Sequence, residues 1–342
     1  MSQAGKIISI TPQYAIPGGE IAINCEGFRA EHGSDHAVMI DGAIAKVTAA
    51  SATRILAVVP EDIDGGHIQV NLTAGSHTGD HFAYVVGKKL IDGMHIVANP
   101  AIDPSDDAII LTRSGSRGQH LDATLFRLEP DGFLDELPEA ILNPTGIAFD
   151  PDGQMYVTNR AQGEVYAVSR DGSSSVYATG LGIATGLAFD ANGVMYVGDR
   201  SGTIYRVRDF AEVEAFATLE PSVAAYHIAF GPDGRLYVTA PGLASHDAIY
   251  AFDGSGNAER YASGFGRPQG LAFDNAGNLY AAACYGGHHG VVKIAPNAAS
   301  TENFVAGGNV VGLCFTRSGE MVVATNESVY SVAGGINGAL LA

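Results

Sequence analysis

Five side chains in the second half of the chain are of types that bind metals or move protons: Asp199, His227, Tyr285, His288 and His289. Two imidazoles and a carboxylate can hold a transition metal, and an imidazole that titrates near neutrality can act as a general base. The candidate catalytic groups are His227, Asp199 and His289. The candidate ligands of one divalent metal (Ca, Mg or Zn) are His227, Asp199 and His288. Each has a plainer alternative: a solvated histidine, a histidine pair in a glycine-flanked loop, and a carboxylate capping the turn in Gly-Asp-Arg-Ser-Gly. A second set is polar and mostly uncharged: Asn99, Thr145, Asn159, Thr185, Tyr226, Gln269, Tyr285 and Asn326, with Arg113. Amides can bind sugar hydroxyls, tyrosines can stack on a ligand, and Arg113 can meet an anion. No G-x-S-x-G nucleophile elbow and no phosphate-cradling G-x-x-x-x-G-K-[ST] loop occurs. Cys25, Cys284 and Cys314 are far apart and odd in number, and they read as small buried hydrophobes rather than a disulfide or zinc set.

These residues recur at fixed places in a repeat. GIAFDPDGQMYVTNR starts at Gly146, GLAFDANGVMYVGDR at Gly186, HIAFGPDGRLYVTAP at His227, GLAFDNAGNLYAAAC at Gly270 and GLCFTRSGEMVVATN at Gly312. The spacing is about 40 residues, the period of a four-stranded propeller blade. Within a unit, an apolar strand meets an Asp-Pro-Asp-Gly turn, then an alternating strand, a third at Val165 to Val168 and a fourth at Val176 to Ala178. A looser copy begins at Ala98, so six blades are expected over residues 88–342. The fourth strand of the last blade is expected from Leu340 or from Leu90 to Ile96, so that borrowing closes the ring. The loops entering each first strand and leaving each second strand should share one face. That face would carry the polar set above, at the mouth of a central channel. Asp150, Asp152, Asp190, Asp233 and Asp274 fall on the opposite face and read as turn formers.

Residues 1–87 lack this period. Short alternating strands separated by turn signals indicate a β-sandwich, with the junction between Gly87 and Gly93. The 342 residues suffice for two domains. With 44 glycines and 16% charged residues, the composition suits an all-β chain rich in turns. A net charge of −18 disfavours nucleic acid and anionic membranes as partners. No signal-like or membrane-spanning apolar run is present, so the expectation is a cytoplasmic protein, or a secreted or periplasmic one whose export signal has been removed.

Ile10-Thr11-Pro12, Pro17-Gly18-Gly19, Gly27-Phe28, Val58-Val59-Pro60 and Phe82-Ala83-Tyr84 resemble the IPT/TIG family of immunoglobulin-like sandwiches. That resemblance implies a spacer or a surface for homo-oligomerisation. The repeats, best at Pro268 to Asp274 with Gly277-Asn278-Leu279-Tyr280, resemble NHL propellers and the senescence-marker/gluconolactonase family. The second resemblance implies a divalent metal held by Glu, Asn and Asp. The Asn and Asp positions are occupied here by His227 and Gln269, and the first blade offers Asn99. Three functions follow as expectations. One is a lactonase-like hydrolase or lyase acting on a small polar molecule. The second is a non-catalytic propeller binding carbohydrate, peptide or protein. The third is an assembly role.

Overall fold

The computed structural model describes residues 4–31, 35–115, 119–208, 212–243 and 246–339. The repeat folds as it does because both of its halves are locally specified. In Asp150-Pro151-Asp152-Gly153 the Asp150 carboxylate accepts the N–H groups of Asp152 and Gln154 at 3.0 and 2.9 Å, and Gly153 takes a positive φ of 83°. Such an aspartate-capped turn aims two strands antiparallel. Asp190 and Asp274 cap the equivalent turns in the same way. The flanking strands are almost wholly buried, as in Met155–Asn159 and Met195–Asp199, which fits a sheet covered on both faces.

The described strands from Lys88 onward pair antiparallel in successive four-stranded units. Their first strands are Ala101–Ile102, Pro144–Phe149, Ala184–Phe189, His227–Phe230, Leu271–Phe273 and Val310–Phe315. Each first strand touches the next, and Val310–Phe315 returns to Ala101–Ile102. The result is a closed ring, a β-propeller without an open inner edge. Apolar clusters fill the space between neighbouring units; Tyr156 and Phe189, for example, pack with Leu187 and Val197. The last unit is completed by Lys88–Ile91, which pairs antiparallel with Val329–Ala333. The expected closure by the segment near Leu90 is therefore found, starting two residues earlier at Lys88; Leu340 lies outside the described residues.

The N-terminal strands form two sheets. Lys6–Thr11, Glu20–Glu26, Arg54–Val58 and Lys46–Ala50 make one. Tyr14–Ala15, Phe82–Val86, Gly66–Ala74, His36–Ile40 and Ala43–Ile44 belong to the other. Ile21, Ile23 and Ile55 of the first meet Val38, Ile40, Val70 and Leu72 of the second in one apolar core. Tyr14–Ala15 also pairs in parallel with Thr301–Ala306, the outer strand of the fifth unit. Hydrogen-bonded sheet thus runs unbroken from the N-terminal module into the ring. The expected junction is not a loose linker. Gly87 alone separates Phe82–Val86 from Lys88–Ile91, and a Cβ there would lie 2.8 Å from Ile16 Cγ2 and 3.1 Å from Val332 Cγ2. Tyr14 and Ile16 sit among Tyr280, Phe304, Val305 and Val332 of the propeller core.

Candidate functional site in the propeller channel

The first strands come closest at one level of the ring. Strand register puts Gly146, Gly186, Gly270 and Gly312 at this level in four units, His227 in the fourth and Asn99 in the first. A side chain at the glycines would strike neighbouring backbone: Gly186 would meet the Tyr226 carbonyl at 2.5 Å, Gly270 the Cα of Gly312 at 2.5 Å and Gly312 the Cα of Asn99 at 2.6 Å. Asn99 uses its amide to staple three units. Its Nδ2 donates to the Leu271 carbonyl at 2.8 Å, and its Oδ1 accepts the Leu313 N–H at 3.1 Å. His227, in the unit opposite by ring order, is 4% exposed. Its Nε2 has no hydrogen-bond partner among the described residues. Burial pushes its pKa down to about 4, so the imidazole is neutral at pH 7.

Toward the Asp-capped turns the channel widens into a cavity of about 610 Å³. Ile147, Leu187, Ile228, Leu271 and Leu313 line one layer and Ala101, Ala148, Ala188, Ala229, Ala272 and Cys314 the next. Phe149, Phe230, Phe273 and Phe315 stand nearest the turns. The layer of small residues is what leaves the axis open. Polar groups lie at the two ends: Asn99 at the tight level, and Ser105, Asp150, Asp152 and Arg317 among the turns. A mainly apolar cavity with a few polar groups is the usual form of a small-molecule site.

This cavity lies at the end of the channel opposite to the one expected from the sequence. Of the anticipated substrate-binding residues it contains Asn99 alone. At the anticipated mouth the polar groups bind the units to one another. Thr158 Oγ1 donates to the Thr185 carbonyl at 2.8 Å, and Thr239 Oγ1 donates to the Gln269 carbonyl at 2.8 Å. Thr185 Oγ1 donates to the Gly198 carbonyl and accepts the Tyr226 N–H, both at 3.0 Å. Thr145 is buried, and its carbonyl accepts from Thr112 Oγ1. The fully buried Tyr226 donates its hydroxyl to the Glu220 carbonyl. Asn159 Oδ1 closes its own loop through the N–H groups of Ala161 and Gln162. Arg113, Gln269 and Asn326 are partly exposed at this end. Tyr285 packs its ring on Phe265 at 5.7 Å.

The anticipated metal and catalytic set is not assembled. Asp199 is 2% exposed, and its carboxylate accepts the Ile183 and Ser201 N–H groups and the Ser201 hydroxyl. It caps a turn, as the plainer reading held. His288 lines a different cleft of about 740 Å³, between the N-terminal module and the fifth unit, with Arg54, His67, Tyr84 and Asn303. His289 is exposed on the same hairpin, paired with Cys284. Among the described residues no three His, Cys, Asp or Glu side chains come together as a metal site. This donor set does not fit the divalent ion that the gluconolactonase resemblance implies. Cys314 and Arg317 were not foreseen as channel residues. The repeat held the signal for the first, because Cys314 occupies the column that is alanine in the other four clear repeats. Burial pushes its thiol pKa up, which disfavours the reactive thiolate.

No family model matches the chain, and no curated protein is similar to it. Solved structures share its fold. An auxiliary nutrient binding protein from Bacteroides thetaiotaomicron is 14% identical with a TM-score of 0.56, covering 97% of this chain and 98% of that one. A protein assigned as a gluconolactonase is 17% identical with a TM-score of 0.61, covering 74% of this chain and 93% of that one. Virginiamycin B lyase from Staphylococcus aureus is 14% identical with a TM-score of 0.52, covering 87% and 99%. No helix among the described residues is long and apolar enough to cross a membrane. The likeness is one of fold: an all-β chain whose ring is shared by binding proteins, a lyase and a protein assigned as a lactonase.

Proposed function

We propose that the chain is a small-molecule-binding protein whose six-bladed propeller, residues 88–342, takes an apolar-bodied ligand with a polar end into its channel. Residues 1–87 are then an IPT/TIG-like sandwich that spaces or dimerises the propeller. The observation that carries this reading is the 610 Å³ cavity, lined by first strands from all parts of the ring and polar only at its ends. The arrangement of module and ring recurs over nearly the full length of a nutrient binding protein, which agrees with it.

A thermal-shift screen of alkyl-substituted lactones and aryl or alkyl glycosides, small molecules with an apolar body and a polar end, tests it, run on the wild type and on Ala188→Phe. The substitution fills the small-residue layer. A ligand class should stabilise the wild type and lose that effect in the variant, with both proteins giving the same circular dichroism spectrum. Stabilisation that survives Ala188→Phe would place the ligand elsewhere.

One observation favours a second reading, hydrolysis or elimination of such a ligand. His227 Nε2 has no hydrogen-bond partner among the described residues, which leaves a free acceptor of the kind a general base uses. Turnover of a lactone by the wild type and its loss in His227→Gln would favour catalysis over binding alone.

A further inference from the structure

The cleft of about 740 Å³ between the N-terminal module and the fifth unit is lined by runs of consecutive residues, Phe82 to Val85 on one side and Glu302 to Phe304 on the other. A cavity over the face of a sheet meets every second residue of a strand, because side chains alternate. Consecutive residues line a cavity where a strand presents its edge. The pairing shows why edges are left here. Tyr14–Ala15 lies between Phe82–Val86 and Thr301–Ala306 and runs parallel to both, but it pairs only with Val85 and Val86 of the first and with Val305 and Ala306 of the second. Pro12 and Gln13 bend away, and Thr11 already pairs with Ala22 in the other sheet of the module. On the N-terminal side of Val85 and Val305, two strands of one sheet therefore face each other with no strand between them.

Hydrogen bonds nearby fix which backbone groups point into this gap, since the N–H and C=O groups of successive residues point to alternate sides of a strand. The Gly87 N–H donates to the Ala15 carbonyl at 2.7 Å, so Val85 and Ala83 point the same way. Phe82, Tyr84 and Val86 point to Gly66–Ala74 instead. The Ser300 carbonyl accepts the Ala295 N–H at 2.9 Å, which turns Glu302 toward its partner Lys293 and Asn303 into the gap. Ala83 and Asn303 thus each offer one N–H and one C=O from opposite walls, two strand spacings or about 9.5 Å apart. Neither has a backbone partner on that side among the described residues. Ala83 is exposed; Asn303 is half-buried, and its side-chain Nδ2 is turned aside to donate to the Tyr285 carbonyl at 3.3 Å. Two accessible edges at this separation are a template for one more strand.

We propose that this gap binds a short extended peptide, with about three of its residues in the sheet plane, whose backbone pairs with Ala83 on one edge and Asn303 on the other. The site is separate from the channel cavity. Backbone pairing sets the ligand class and alternate side chains set selectivity: Tyr14, Tyr84 and Phe304 give the cleft apolar walls, and exposed Arg54 and Glu302 put both signs of charge along it. Capped pentapeptides that alternate valine or phenylalanine with threonine or serine test the assignment, beside the same sequences N-methylated at their three central residues. Titration calorimetry on the full chain should show binding of at least one pentapeptide and its loss on methylation, which removes the N–H groups and keeps the side chains. In amide exchange read by mass spectrometry, that peptide should slow residues 82–85 and 302–305 and leave the channel strands unchanged. Ala83→Pro deletes an N–H that points into the gap and none that pairs with Gly66–Ala74, so it should weaken binding by about fivefold or more, the loss of one backbone hydrogen bond. Should that variant not fold, the methylated peptides and the exchange pattern carry the test alone. Ala188→Phe, which fills the channel, should bind the peptide as the wild type does. Binding by none of the pentapeptides, equal binding of the methylated forms, or protection confined to other segments would overturn the assignment. So would loss of binding in Ala188→Phe, which would put the peptide in the channel.

Discussion

At the scale of single residues, His227 concentrates what is unusual about this channel. Four of the units have glycine at its level because neighbouring backbone leaves no room, yet the fourth unit carries an imidazole with one nitrogen unpartnered among the described residues. The energetic consequence can be read from linkage. The native pKa is about 4 against an ordinary value of 6.5, so between those values the unfolded chain binds the extra proton and stability rises with pH. The stabilising contribution is complete above about pH 6.5 and is lost as pH falls through about 4, a full change of about 3 kcal/mol. Urea unfolding at pH 7 and pH 4.5 checks this. The loss of stability on acidification should be smaller in His227→Gln than in the wild type. An equal loss in both would show that His227 does not carry the dependence. The type and place of this residue were legible in the repeat. Its isolation from Asp199 and His288 was not, because a period of about 40 residues fixes which strand a side chain occupies but not what its hydrogen-bonding groups reach.

At the scale of elements, the Asp-capped turn is the device that repeats, and in the first unit, where Asp103 still accepts the Ser105 N–H at 2.8 Å, a cation is added to it. There Asp103 keeps its place but is followed by Ser105 and Asp106. Arg127, on Leu125–Leu128, reaches across to bind Asp103 at 2.6 Å, Glu129 at 2.6 Å and Asp106. Burial opposes ionisation of Asp103, but hydrogen bonds from Ser105 and Arg127 outweigh it and hold the carboxyl below its usual range. Arg127→Met would leave Asp103 buried without its cation. A loss of about 3–5 kcal/mol is expected, measurable as a lower urea midpoint with an unchanged m-value. The double variant Arg127→Met, Asp103→Asn should recover part of it. A single-variant loss under about 1 kcal/mol would place this network among weak surface pairs. The looser first repeat was visible in the sequence. The cation that compensates for it, 24 residues along the chain from Asp103, became visible only once strand pairing brought the two together.

At the scale of the whole molecule, the N-terminal module and the ring share a continuous sheet, a common apolar cluster and a one-residue crossing at Gly87. Such an interface should make them one cooperative unit. Calorimetry on the full chain is expected to show a single transition with equal calorimetric and van't Hoff enthalpies. Gly87→Val, whose Cβ would press on Ile16 and Val332, should lower its midpoint or divide it in two. Two separate transitions in the wild type would mean that the shared sheet contributes little.

The sequence by itself determined the local chemistry of this fold: the aspartate-capped turns and the alternation that buries each second strand. These depend on contacts between residues near in the chain, which spacing records directly. Only the tertiary structure decided which end of the channel is open. Side chains facing a channel come from strands about 40 residues apart, and whether Thr158, Thr185 or Thr239 faces solvent or a neighbouring carbonyl depends on how closely those strands approach. Close packing at the glycine level spends the polar groups at one end on holding the units together. The column of alanines leaves room at the other.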